Sequence, residues 1–396
     1  MMEKVGKYIT NYIKGKTPKV LLPNEEADTM PYLSPDYLRG VSAPEFYAKQ
    51  DNKSIIVDNG EVIVLWDGSN AGEILISKKG VLASTMTMLQ FDETQIDKAY
   101  FGYSFQNLEY ILKAKTAGSG IPHADKGVIN KLEFYKPSIS EQSAIAAILS
   151  KVDEAITSVQ ASISAAERLK KSLMQNLLTG RMKPDGTLRK EDEFYVDEKF
   201  GRVPKGWHWG RLSEIAEIIA GQSPQGEYYN EDGLGCPMLN GPTEFTDKYP
   251  VPVQWTTKVT KLCQKGDILF TVRGSSTGRM NFADQEYCIG RGLAAIRPKP
   301  KSNIQFIYYT LLKISEMILA EAKGAGTTFP NVSRGDLIKK EILIPDNQEE
   351  IVTQICSTES IIILKQNKIA VLERLKKSLM QNLLTGRVRV KEHDNN

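Results

Sequence analysis

The run Glu167-Arg-Leu-Lys-Lys-Ser-Leu-Met-Gln-Asn-Leu-Leu-Thr-Gly-Arg181 recurs without change as Glu373 to Arg387, and these fifteen identities, 206 residues apart, fix the plan of the chain. The same shift lays Gly15 on Gly221, Pro18 on Pro224, Gly60 on Gly266, Gly68 on Gly274 and Gly72 on Gly278. A period this long means one supersecondary design written twice. Outside the identical run the matches are mainly Gly, Pro and a few apolar positions, while the polar side chains between them differ. The chain therefore reads as one scaffold carrying two different surfaces.

Each copy has two parts. The first is punctuated by Gly and Pro and carries short β-rich runs such as Glu61–Trp66 and Asp267–Val272, each preceded by Gly. These parts read as strand-rich α/β globules. The second part is a long helix, because Ile145, Leu149, Val152, Ile156, Val159, Ile163, Ala166, Leu169, Leu173 and Leu177 advance in steps of three and four. The second copy repeats the pattern from Ile351 to Leu383. Ser138 with Glu141, and Asp346 with Glu349, have capping-box spacing, and Gly180 and Gly386 suit the left-handed C-terminal position.

A helix of about forty residues is ~60 Å long and leaves an apolar seam that one globule cannot cover. The two seams are expected to bury on each other. The first globule feeds the first helix, whose far end feeds the second globule, so the second helix must return antiparallel. The expected fold class is α+β: two similar strand-rich globules joined by two long antiparallel helices in a coiled coil, a pseudo-two-fold repeat. The boundaries read as 1–137 and 206–345 for the globules, 138–181 and 346–387 for the helices, 182–205 for a charged linker bracketed by Pro and Gly, and 388–396 for a frayed tail.

The sequence matches no catalytic template. No Gly-x-x-x-x-Gly-Lys-Ser/Thr loop and no Gly-x-Gly-x-x-Gly after a strand is present. The three histidines, His123, His208 and His393, are not spaced for a shared metal, and a loose nuclease-like pattern at Pro184-Asp185 with Asp197-Glu198-Lys199 also occurs at Pro35-Asp36 with Asp51-Asn52-Lys53. No catalytic residue and no metal site is expected. The longest apolar runs fall far short of the ~20 residues of a membrane span, no leader peptide is recognisable, and four widely spaced cysteines do not read as disulfides. A reduced, cytoplasmic setting is expected.

With 51 Lys and Arg against 48 Asp and Glu, the net charge of +3 carries no global nucleic-acid signature, so any such surface must be local. The turns after the paired strands are the strongest candidates. Arg273, Ser275, Ser276, Thr277 and Arg279 lie on a Gly-framed loop with Arg291 shortly after, and the equivalent loop carries Trp66, Asp67, Ser69 and Asn70. Arg binds guanine bidentately, Asp accepts from cytosine N4, and Asn pairs with adenine. Equivalent positions thus offer different hydrogen-bonding groups.

A second pair of loops runs Gly118-Ser-Gly-Ile-Pro-His123 and Gly324-Ala-Gly-Thr-Thr-Phe-Pro-Asn331, followed by Lys126 and Arg334. A third pairs Lys14 and Lys16 with Gln222 and Ser223. Arg168, Lys170, Lys171 and their mates Arg374, Lys376, Lys377 form basic clusters beside the helical seams, suited to DNA or a partner.

Two globules each followed by a long helix, with the tract Leu-Lys-Lys-Ser-Leu-Met-Gln-Asn-Leu-Leu-Thr-Gly-Arg near each helix end, resemble the specificity subunit of type I restriction–modification systems. Pro204-Lys205-Gly206-Trp207, opening the second globule, and Pro137 and Pro345, leading into the helices, are also similar to that family. The first globule lacks the Pro-x-Gly-Trp opening.

The resemblance implies a non-catalytic subunit whose two target-recognition domains each read half of an asymmetric, bipartite site in double-stranded DNA. Its helices would space the halves and dock two methyltransferase subunits, and through them the restriction subunits. S-adenosylmethionine, ATP and magnesium would belong to those partners and none to this chain. The alternative is a coiled-coil adaptor whose globules bind protein. A methyltransferase and recognition domain in one chain is disfavoured by the missing motifs.

Overall fold

The computed structural model describes residues 1–49, 51–116, 122–324 and 330–390. The chain divides into two compact units: residues 1–161 with the described residues from 366 onward, and residues 162–365. The division does not follow the copies, because each long helix contributes one half to each unit.

In the first unit a four-stranded sheet has the order Ile9–Lys14, Met86–Phe91, Val62–Leu65, Ile74–Ile76, beside a five-stranded sheet whose centre is the parallel pair Thr29–Leu33 and Gly80–Leu82. The second unit repeats the design, with Ala216–Ala220, Leu293–Pro298, Ile268–Thr271, Met280–Phe282 in one sheet and the parallel pair Cys236–Leu239 and Tyr287–Ile289 in the other. The hairpin pairing Val62 with Ile76 has the register of its mate, which pairs Ile268 with Phe282.

The uninterrupted apolar run Val62-Ile-Val-Leu65 is explained by burial on both faces. Side chains alternate along a strand, so Val62 and Val64 enter one core with Tyr100, Phe101 and Phe105, while Ile63 and Leu65 enter another with Leu33, Leu82 and Met86. In the second unit Ile268 and Phe270 face one core and Leu269 the other. Each such side chain contributes ~1.5–3 kcal/mol of burial, so a polar residue anywhere in either strand would be costly.

The long helices run Ile139–Leu177 and Gln348–Leu383. Within the first unit Glu141 meets Arg389 and Asp153 meets Lys376; within the second, Lys170 meets Glu359. The partner number falls as the first number rises, so the two helix segments in the first unit are antiparallel. Leu379, Met380, Leu383 and Leu384 join the first unit's core, and Leu173, Met174, Leu177 and Leu178 join the second's. Each core thus receives the identical run from the opposite copy. Leu169 and Leu375, read from spacing as seam positions, are instead 53% and 46% exposed.

Gly180 and Gly386 adopt φ of 66° and 71° after the helix ends. A Cβ on Gly180 would stand 2.2 Å from Pro204, and one on Gly386 would stand 2.7 Å from the Tyr135 ring, so two independent constraints select glycine there.

At the helix starts, the Glu141 N–H donates to Ser138 Oγ, as the spacing predicts, and the Glu141 carboxylate binds Arg389. The second long helix is capped by Asn347, which accepts from the Glu350 N–H, not by Asp346, whose N–H is committed to the Gly206 carbonyl.

The stretch read as a solvated linker carries the hairpin Phe194–Asp197 with Gly201–Pro204, held by fully buried Val203 and by the Tyr195 hydroxyl donating to the Trp207 carbonyl. The tail is not frayed at its start: Arg389 and the Val390 N–H both bind Glu141. The rest of the tail, 391–396, lies outside the described residues. Among the described residues no helix is long and apolar enough to cross a membrane.

Candidate nucleic-acid interface

In the first unit, Trp66 to Gly72 connects two strands as a tight turn, with the Gly72 N–H donating back to the Leu65 carbonyl at 2.8 Å. A second segment is welded to it: the Gly68 N–H donates to Pro122 O at 3.1 Å and the Ala124 N–H donates to Trp66 O at 2.8 Å. This brings Asp67 opposite His123.

The second unit repeats the weld. The Gly274 N–H donates to Pro330 O at 3.0 Å, the Val332 N–H donates to Val272 O at 2.9 Å, and Arg273 stands opposite Asn331. Two loops that sequence treats separately are one structural element in each unit. The Gly118–Ile121 and Ala325–Phe329 stretches that precede them lie outside the described residues.

The side chains on this common frame differ in role. Asp67 receives His123 Nδ1 at 2.6 Å on one oxygen and Lys14 Nζ at 3.0 Å on the other. Burial alone would raise its carboxyl, but the hydrogen bonds from His123 and Lys14 outweigh that and hold it below the usual carboxylate range. Asp67 is therefore not the unengaged acceptor that its residue type suggested. Its repeat mate Arg273 is exposed and its guanidinium has no hydrogen-bonding partner among the described residues.

Arg279 proves structural in its contacts, donating to the carbonyls of Phe245 and Pro242, and Thr277 is buried with its hydroxyl on Gly274 O. Ser69, Asn70 and Ser275 are exposed and Ser276 half-buried.

Lys126 and Arg334 open equivalent short helices, capped by Asp125 and Ser333. Lys126 Nζ lies 4.9 Å over the Tyr12 ring, and Arg334 Nε donates to Ile218 O at 2.9 Å. Tyr12 and Ile218 are themselves repeat mates, so both cations anchor their helix to the same strand position. Tyr12 also packs edge-on to Trp66 at 6.1 Å and donates its hydroxyl to Asn130, and burial pushes that hydroxyl up to about 12. Spacing gave no signal for Tyr12; only the cross-strand packing reveals it.

Lys16 is exposed, and Ser223 accepts from the Arg291 N–H at 3.1 Å, leaving the exposed Arg291 side chain between Gly290 and Gly292. The Gln222 N–H is used on Ile289 O. In each unit the structure brings the two welded loops together with the start of a short helix. It supplies ammonium and guanidinium groups, hydroxyls, amides and one imidazole, the groups that contact phosphates and base edges.

The comparisons agree with this duplicated frame. The family described as the type I restriction modification DNA specificity domain matches residues 7–168 and again 204–374. The chain is 30% identical to the type I restriction enzyme MjaVIII specificity subunit of Methanocaldococcus jannaschii over 98% of this chain and 92% of that one. It is 32% identical to the putative MjaX specificity subunit of the same organism, over 77% and 72% of the two chains.

Among solved structures, the type I S subunit from M. genitalium has a similar fold, with a TM-score of 0.63 at 16% identity and 97% and 96% coverage. A chain from a study of type I restriction–modification complex assembly and conformational transition gives 0.57 at 19% identity, covering 98% of each. Two family matches that together take in most of the sequence, one on each copy of the repeat, establish that this chain belongs to the type I restriction–modification DNA specificity family.

Proposed function

We propose that the chain is the DNA-recognition subunit of a type I restriction–modification complex, with one unit reading each half of a bipartite, asymmetric site. The observation that carries this reading is the welded loop pair, built identically in both units yet presenting Asp67 with His123 in one and Arg273 with Asn331 in the other. A duplicated frame with different polar groups is what two half-sites of different sequence require. The alternative, an adaptor with protein-binding globules, gives no reason for such loops.

The chemistry then belongs to other subunits. Two methyltransferase subunits would dock on the repeated helical runs, carrying S-adenosylmethionine, and restriction subunits would join through them with ATP and magnesium. Such a complex acts on cytoplasmic DNA.

The test is methylation mapping. The chain with its methyltransferase subunit should modify one two-part sequence, and the chain alone should modify nothing. Replacing residues 206–345 with a relative's globule should change one half-site only. Binding should weaken steeply with salt, as phosphate contacts demand. Modification by the isolated chain, or salt-insensitive binding, would overturn the reading.

A further inference from the structure

We propose that His123, oriented by Asp67, is a base-contacting residue of the first unit, with its imidazole Nε2 accepting from the exocyclic amino group of an adenine or cytosine. This rests on the reading of the chain as a DNA-specificity subunit and identifies one of its contacts.

A carboxylate only accepts hydrogen bonds, so the imidazole nitrogen 2.6 Å from Asp67 Oδ1 carries a hydrogen, and that nitrogen is Nδ1. The other carboxylate oxygen is taken by Lys14 at 3.0 Å. Asp67 has both oxygens engaged and is 24% exposed, whereas the His123 side chain is 61% exposed.

Fixing the hydrogen on Nδ1 leaves Nε2 of the neutral ring as an acceptor. It has no partner among the described residues. Adenine N6 and cytosine N4 are the amino donors of the major groove.

The frame also limits where the ring can go. The Gly68 and Ala124 backbone bonds close on either side of the Asp67–His123 pair, so the ring is held from its backbone as well as from Nδ1. In the second unit the corresponding residues are Arg273 and Asn331, and both are exposed. The same weld thus exposes both members in the second unit but mainly His123 in the first.

The experiment uses the chain in complex with its methyltransferase subunit, selecting bound DNA from a pool randomised through the site and mapping methylation in parallel. His123→Ala should lose about tenfold discrimination at one position of the first half-site and leave the second half-site unchanged. Asp67→Ala should relax that same position, and Asp67→Asn should restore it, because an amide oxygen still accepts from Nδ1–H. A purely structural role would degrade all positions of the first half-site together, so that result, or an unchanged preference in His123→Ala, overturns the assignment. A wild-type complex with no two-part preference would overturn the DNA-specificity reading itself, and it is recognised before any variant is compared.

Discussion

Asp153 holds the ammonium of Lys376 at 2.7 Å and the hydroxyl of Tyr103 at 2.7 Å, and the repeat mates of all three, Glu359, Lys170 and Tyr309, form the same cluster in the other unit. In each cluster the lysine comes from the identical run of one copy, and the acid and tyrosine come from the other copy. The lysine also lies over the tyrosine ring, at 5.4 Å and 5.6 Å. These pairs are partly exposed, so each is worth no more than ~1 kcal/mol. Lys376→Ala and Lys170→Ala are expected to cost about that much each, and a double-mutant cycle with Asp153→Ala should return a positive coupling in urea unfolding. No coupling would mean that the acids and lysines are neighbours without energetic connection.

The acids of these contacts set a pH dependence. Burial would raise the Glu359 carboxyl, but Lys170 and Tyr309 outweigh it and hold it below its ordinary value, and Arg389 does the same for Glu141. A carboxyl depressed in the folded state contributes stability above its unfolded pKa of ~4.3, and that stability is lost as pH falls through the folded value. Unfolding midpoints should therefore be flat from neutral pH down to about pH 5 and fall below it. Glu359→Gln should lower the midpoint at pH 7 and reduce the acid-side slope; an unchanged slope would show that Glu359 does not titrate with folding.

Asp267 is 2% exposed and accepts a two-pronged contact from Arg297 at 3.0 Å and 2.8 Å, as well as the Gln264 N–H. Only the acid is buried; Arg297 is 25% exposed and has Glu217 within 4.0 Å, so removing Asp267 should cost roughly 2–3 kcal/mol, below the ~3–5 kcal/mol of a fully buried pair. Asp267→Ala should destabilise the second unit by about 2–3 kcal/mol in denaturant titration. A loss under ~1 kcal/mol would show that the pair behaves as a surface contact.

Two arginines on one loop should separate in behaviour. Both are exposed, but Arg279 holds two carbonyls of the 242–245 turn, whereas the Arg273 guanidinium has no hydrogen-bonding partner among the described residues. Arg279→Ala should lower thermal stability and weaken the whole second half-site, while Arg273→Ala should leave the melting temperature unchanged and relax one position by ~1–3 kcal/mol. If both variants melt early, Arg273 is structural as well.

The repeat, the strand-rich globules and the long helices were legible because each follows from periodicity or identity within the sequence. The polar contacts were less so. Asp153 and Glu359 differ in type, so comparing copies does not mark them as equivalent. The engagement of Asp67 by Lys14 and His123, and of Arg279 by Phe245, joins residues more than thirty positions apart whose meeting depends on the folded sheets. Asp346 satisfied a capping-box spacing, yet the helix starts at Gln348, one residue later than that spacing requires, and Asn347 accepts from its first turn.

The identical run also holds residues that packing does not explain. Leu173 and Leu177, with Leu383 in the second copy, are buried, but Glu167, Arg168, Leu169, Lys171, Ser172 and Gln175 are exposed, as are their six mates. Leu169 at 53% and Leu375 at 46% exposure are large apolar side chains set among charges, the composition of an interface patch. Identity at solvent positions fits a surface that meets the same partner twice. Leu169→Glu and Leu375→Glu should leave unfolding midpoints within ~0.5 kcal/mol of wild type. On the proposed docking of two methyltransferase subunits, each variant alone should reduce the bound subunits from two to one, and together they should abolish binding, as read from the mass of the complex by light scattering. A full complement on the double variant would place the docking surface elsewhere.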